Sequence, residues 1–254
     1  SDAFLRIHFD GLTHLILNCS IQVENLPIDS MPNLTSLEIP FHTFERAVST
    51  GNATVKSLKL VGIYPKKLKA ALNIFKLFPS IDHLDLSQSF INNEAEAISS
   101  IQKVYPQLKS LKLPHPMPMK NNFPCLKTFS VGKIITSAQL MERFITQHVE
   151  SLESIEIRSV KESEFVKSLV VNKIMNCPNL KAVIIGCESP MIVRMFNKKF
   201  IRSKPWTLQA IIKSSSTDSI ALKFTFPADL AVWDERCRTY DDELIRELST
   251  VENS

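Results

Sequence analysis

Apolar residues along this chain fall into a six-residue pattern, apolar-x-x-apolar-x-apolar, that recurs eight times. It reads LTHLIL from Leu12, LTSLEI from Leu34, VKSLKL from Val55, IDHLDL from Ile81, LKSLKL from Leu108, LKTFSV from Leu126, LESIEI from Leu152 and LKAVII from Leu180. The starts lie 22, 21, 26, 27, 18, 26 and 28 residues apart. Within each unit the alternation has the period of a strand: the second and third apolar residues face one way, the residues before and between them the other. Met31-Pro32, Phe78-Pro79, Tyr105-Pro106, Phe123-Pro124 and Cys177-Pro178 lead into five of the units. Proline at that place ends the preceding segment and predicts an extended lead-in. Between strands, Lys66 to Phe78, Glu94 to Tyr105, Ser137 to Val149 and Glu164 to Met175 each carry one apolar stripe at helical spacing.

A strand of about six residues buries its apolar side only when stacked on its neighbours and backed by helices. The predicted class is therefore α/β, a curved solenoid of parallel strands. The recurring LxxLxL resembles the leucine-rich repeat family over roughly Leu12 to Ile185. The resemblance implies a horseshoe with strands on the concave face, helices on the convex face and a C-terminal cap. The family pattern places Asn or Cys three residues after the third apolar position. Here that place holds Ser20, His42, Ile63, Ser89, Pro116, Ile134, Val160 and Glu188, so the asparagine ladder is absent. The long helical spacers and the Cys177-Pro178-Asn179-Leu180 lead-in are more similar to the irregular repeats of F-box leucine-rich proteins, the substrate receptors of Skp and cullin ubiquitin ligases. That likeness implies ubiquitin-ligase subunits as partners, with the F-box outside this chain or on a partner. The repeat array is expected over 1–203, and final degenerate repeats with a capping segment over 204–254. In the latter, Trp206 to Ile212 and Ile220 to Phe226 read as strands, Asp234 to Leu248 as an amphipathic helix, and Trp206 and Trp233 as cap core.

Sorting by face assigns His14, Ser36, Ser57, His83, Ser110, Thr128, Ser154 and Ala182 to one outward column, and Ile16, Glu38, Lys59, Asp85, Lys112, Ser130, Glu156 and Ile184 to the next. Parallel neighbours lie about 4.8 Å apart, so Glu38, Lys59, Asp85 and Lys112 are expected to form a ladder of alternating sign. Such charges either satisfy one another or present a recognition stripe. The small residues beside them leave the surface open to a protein or peptide. Phe41 and His115, expected exposed in connecting loops, and Arg158 are of types that anchor interfaces or line binding loops. Met117 belongs to the proline-rich excursion Pro114 to Met119, where adaptable methionines suit a binding loop. The expected partner-binding set is thus Glu38, Phe41, Lys59, Asp85, Lys112, His115, Met117 and Arg158.

Composition narrows the classes. The chain has 254 residues, 44% apolar and 22% charged, with mean hydropathy +0.01, which is a globular profile. Only five residues are glycine, and no phosphate-cradling GxGxxG or GxxxxGK[ST] occurs. No run of 18 apolar residues and no signal-like start is present, so no membrane association is expected. Five widely spaced cysteines without a CxxC pair favour a reduced, intracellular setting. Against it stand three Asn-x-Ser/Thr triplets, at Asn18, Asn33 and Asn52, which are glycan acceptors in secreted chains. Six histidines lack metal-ligand spacing, and no nucleophile and base or paired carboxylates converge. The expectation is a non-enzymatic protein-recognition module without metal or cofactor. Net charge is +4, split as +9 over 1–228 and −5 over 229–254. Lysines cluster at Lys56, Lys59, Lys66, Lys67, Lys69 and Lys76, and at Lys109, Lys112, Lys120, Lys127 and Lys133, which keeps RNA or DNA binding as the alternative.

Overall fold

The computed structural model describes residues 9–17, 26–47, 50–64, 68–89, 94–115, 123–134, 138–160, 173–174, 176–187, 207–213 and 220–225. The chain forms two compact units, Ser1–Gly132 and Lys133–Ser254.

In the first unit every predicted strand appears. β1 (His14–Ile16), β2 (Ser36–Pro40), β3 (Ser57–Val61), β4 (His83–Asp85), β5 (Ser110–Leu113) and the start of β6 (Thr128–Ile134) lie in chain order. Neighbours are parallel, and one register aligns His14, Ser36, Ser57, His83, Ser110 and Thr128. This stack of parallel strands with intervening helices is consistent with an α/β solenoid. The strand leucines Leu37, Leu58, Leu60, Leu84, Leu111 and Leu113 are buried, with Phe44, Phe75, Phe78, Ile98 and Ile101 from the segments between strands. Phe44 meets Phe78 at 5.6 Å between ring centroids, and Phe75 meets Tyr105 at 5.8 Å. The Tyr105 hydroxyl donates to the Phe75 carbonyl at 2.6 Å, and burial pushes its pKa up.

α2 (Leu68–Phe75) and α3 (Glu94–Val104) fall within their predicted stripes, and α1 (Phe41–Ala47) is an addition. Phe41 is 2% exposed, which corrects its expected display in a loop: Phe41 and Phe44, three apart, share the helical face that packs inward.

The lead-in prolines act differently from expectation. Met31 to Leu34, Phe78 to Ile81, Tyr105 to Leu108 and Phe123 to Leu126 are β-turns, each closed by the N–H of the fourth residue on the carbonyl of the first at 3.1, 3.4, 3.2 and 3.1 Å. Proline takes the second turn position, for which its fixed φ is pre-set. In the Met31 and Tyr105 turns the residue after proline reaches back to the previous repeat. Asn33 donates to the Asp10 carbonyl at 2.5 Å, Gln107 to those of Pro79 and Ile81 at 3.1 Å, and Thr54, at the same place in its own turn, to Leu34 at 2.8 Å. These three turns therefore tie one repeat to the one before.

One repeat replaces the buried apolar turn residue by Asn52, 7% exposed. Its Nδ2 donates to the carbonyls of Ile28 at 2.7 Å and Met31 at 2.9 Å, while Oδ1 accepts the Thr54 N–H at 2.8 Å. Beside it, Gly51 lies so close to the end of α2 that a Cβ would sit 2.1 Å from the Leu77 carbonyl oxygen. The asparagine ladder of leucine-rich repeats is missing, yet Ser89 at one of the corresponding places bridges repeats. Its hydroxyl donates to the Leu60 carbonyl at 3.1 Å and accepts the Ile63 N–H at 3.3 Å.

In the second unit, α4 (Ala138–Gln147) matches its predicted stripe, and of Glu164 to Met175 only 173–174 are described, in helical conformation. β7 (Ser154–Val160) and β8 (Ala182–Cys187) are parallel, with Ser154 opposite Ala182 and Glu156 opposite Ile184. Asn179 follows a lead-in proline as well and donates to the Glu150 carbonyl at 2.6 Å. β9 (Thr207–Lys213) and β10 (Ile220–Thr225) confirm two predicted strands but not a continuing parallel repeat. β10 pairs antiparallel with β8 and with β9. Six residues join β9 to β10, too few for a parallel crossover, which takes a dozen or more. Asp234 to Leu248, Trp206 and Trp233 lie outside the described residues.

Candidate functional site

The outward columns of the first unit line a shallow groove of about 230 Å³. It is lined by Ile16, Glu38, Lys59, Asp85 and Lys112 together with Ser36 and Ser57. Strand alternation puts these side chains opposite the buried leucines, and the shared register sets them side by side, Ile16 against Glu38, Glu38 against Lys59, Lys59 against Asp85, and Asp85 against Lys112. The ladder resolves into two ion pairs. Lys59 Nζ lies 2.7 Å from Glu38 Oε1, and Lys112 Nζ 3.8 Å from Asp85 Oδ2. Asp85 is also held by its own strand end, where Oδ1 accepts the Ser87 N–H at 2.9 Å and the Ser87 hydroxyl at 2.6 Å. All four charged side chains remain between 18% and 36% exposed, while Ile16 stands 58% exposed at the end of the row. The row ends in Ser130, 1% exposed, whose hydroxyl has no partner among the described residues.

Where the strands begin, Asp82 accepts from His83 Nδ1 and from Lys109 Nζ, the latter at 3.0 Å. Burial alone would raise the Asp82 pKa; the two donors and their charge outweigh it and hold the carboxyl below its ordinary value. In the second unit the equivalent pair is Lys181 with Glu153, 2.7 Å apart. His83 and His14 share a column three strands apart. Among the described residues no group of three His, Cys, Asp or Glu side chains is placed to hold a metal ion. No helix among them is long and apolar enough to cross a membrane.

No family model matches the chain. It is similar to two curated proteins, the tubulin-specific chaperone cofactor E-like proteins of Rattus norvegicus and Homo sapiens. Each is 31% identical over 111 residues, which is 41% of this chain and 26% of the relative. The chain thus spans about a quarter of the length of the relatives it matches.

Of the eight residues chosen from sequence, Glu38, Lys59, Asp85 and Lys112 come together in the groove. Phe41 belongs to the core, and His115 follows β5 by two residues. Arg158 sits in β7 where the pairing with β8 shifts register, with its side chain outside those described, and Met117 lies outside the described residues. Sequence reasoning did not single out Ile16 as a site residue, although its place in the outward column was legible. Asn52 does not suit a glycan: a sugar would leave Nδ2 one hydrogen, too few for its donation to two backbone carbonyls in a buried site. Asn33 Nδ2 is likewise engaged, with Asp10, and Asn18 lies outside the described residues.

Proposed function

We propose that this chain is a non-enzymatic protein-recognition module whose partner docks on the open sheet face of the first unit, the concave face of a leucine-rich-repeat horseshoe. The observation that carries the reading is the groove itself, with small serines in its lining, a charge row held in register and an exposed isoleucine at its end. Such a surface suits another protein's side chains better than an enclosed small molecule. The distant likeness to tubulin-specific chaperone cofactor E-like proteins supports a protein-interaction role and makes tubulin the first partner to test. In the same reading the antiparallel pair β9 and β10 begins the C-terminal cap, and the setting is intracellular.

The test is binding of purified tubulin dimer by isothermal titration, wild type beside Ser57→Trp, which fills the groove without altering charge. Binding that weakens at least tenfold in the variant supports the reading. Equal binding by both means that the partner uses another face, and absence of binding removes tubulin as partner. Ubiquitin-ligase substrate reception rests on the helical spacers and the Cys177-Pro178-Asn179-Leu180 lead-in, and direct binding of a Skp subunit tests it. The nucleic-acid alternative rests on the lysines at the strand starts, where Lys56 and Lys109 are exposed. The internally neutral charge row gives no net field for phosphates.

A further inference from the structure

We infer that the docked element is an α-helix of alternating charge, running across the strands with one basic, one acidic, one basic and one acidic side chain against Glu38, Lys59, Asp85 and Lys112. This rests on the open face of the first unit being the recognition surface, and it names the class of partner that face takes.

Spacing decides between secondary structures. Three strand intervals of about 4.8 Å carry the row from Glu38 to Lys112 over about 14 Å. On a helix, positions i, i+3, i+7 and i+10 lie within one arc of the surface and, at about 1.5 Å rise per residue, cover about 15 Å. Each strand then meets one helical side chain. An extended segment presents same-side residues about 7 Å apart, so its second residue would fall between Lys59 and Asp85, against both charges at once.

Charge fixes the pattern. The row reads negative, positive, negative, positive through the pairing of β2, β3, β4 and β5. A complementary helix reads the opposite signs in the same order, and each of its charges enlarges a two-membered ion pair into a four-membered network. A helix of uniform sign meets two repulsions, which is how like-charge juxtaposition excludes wrong partners. Ile16 pairs in register with Glu38, so an apolar residue three or four positions before the first basic one completes the motif.

The experiment uses the full chain and two synthetic helical peptides of identical composition, both labelled for fluorescence anisotropy. The alternating peptide carries Leu, then Lys, Glu, Lys and Glu at i, i+3, i+7 and i+10. The block peptide carries Lys, Lys, Glu and Glu at those places. Wild type is expected to bind the alternating peptide about tenfold more tightly, since two contacts change from attraction to repulsion. The double variant Lys59→Glu/Asp85→Lys turns the row into negative, negative, positive, positive, and the preference should reverse. A second variant, Lys59→Gln/Asp85→Asn, should bind both peptides equally, which guards against a folding defect in the first. Equal binding of both peptides by wild type overturns the inference, as does a preference that survives the double variant. Loss of tubulin binding in Ser57→Trp alongside equal peptide affinities would leave the recognition face standing and remove the helix.

Discussion

Replacing Asn52 should damage this fold far more than an exposed turn residue would suggest. The side chain serves three backbone groups from one buried position: the carbonyls of Ile28 and Met31, and the N–H of Thr54. The amide's orientation is fixed by this set, because the Thr54 N–H requires an oxygen and the two carbonyls require donors. Asn52→Ala removes three hydrogen bonds to the backbone and the one that Oδ1 accepts from the Thr54 hydroxyl. Both carbonyls keep a second donor, the N–H of Met31 on Ile28 and that of Leu34 on Met31, so neither is orphaned. The Thr54 N–H belongs to an exposed residue and can turn to water. At about 1 kcal/mol per net bond, the loss is about 2 to 4 kcal/mol. Whole domains hold about 5 to 15 kcal/mol, so this is a large fraction.

The assay is urea unfolding followed by far-ultraviolet circular dichroism, with Asn33→Ala as the control. Asn33 occupies an exposed place and makes one side-chain bond, to the Asp10 carbonyl, so its removal should cost below about 1 kcal/mol. Asn52→Asp should cost at least as much as Asn52→Ala near neutral pH, because a carboxylate would face two carbonyl oxygens. It should recover partly in acid, where the protonated carboxyl can donate. An Asn52→Ala variant within about 0.5 kcal/mol of wild type, or an Asn52→Asp variant as stable as wild type, would refute the network.

Gly51→Ala should lower stability by at least about 2 kcal/mol, since its Cβ would lie 2.1 Å from the Leu77 carbonyl oxygen. Gly11→Ala, with nothing within 4 Å of the added carbon, should leave the thermal midpoint nearly unchanged. Tyr105→Phe should cost about 1 kcal/mol in urea unfolding through the lost bond to the Phe75 carbonyl, with ring packing retained. Burial lowers the His148 pKa against the opposing hydrogen bond to the Phe144 carbonyl, so the unfolded chain binds its proton first. Its stability contribution is full above its ordinary pKa of 6.5 and is lost as pH falls toward the native value; His148→Leu should flatten that slope between wild-type and variant unfolding curves.

The strand registers were legible because period two and a fixed six-residue unit leave one alignment that keeps all leucines on one side. The ladder from Glu38 to Lys112 follows from that alignment alone. α1 was missed because a seven-residue helix carries too little periodicity to register, and Pro40 before it reads as loop; the spacing of Phe41 and Phe44 was the available signal. Asn52 was read as part of an Asn-x-Thr triplet, since nothing in a local string says that an amide takes the place filled elsewhere by Met31, Phe78, Tyr105 and Phe123. Its burial follows from aligning the turns of successive repeats. The cross-repeat bonds of Asn33, Thr54, Gln107 and Asn179 are hidden for the same reason: their partners are backbone carbonyls of another repeat, which no local string displays. The antiparallel course of β10 was foreshadowed by its six-residue link to β9.

These turns bear on recognition as well as stability. Those of Asn33, Thr54 and Gln107 hold a repeat against the one before, and strand pairing sets the alternating row by backbone register. A row that sums to zero attracts nothing from a distance, and its selectivity comes from matching signs at short range. Salt is therefore the sharpest separator of the two functional classes. A partner on Glu38, Lys59, Asp85 and Lys112 exchanges some ion pairs for others and should lose little affinity between 50 and 200 mM salt, less than about tenfold for exposed pairs of this kind. A nucleic acid held by six or more lysines releases counterions and loses about a thousandfold or more over the same range. A titration of the bound partner across those two salt concentrations should give the shallow response; a steep one would mean that the lysines at the strand starts, and not the neutral row, carry the binding.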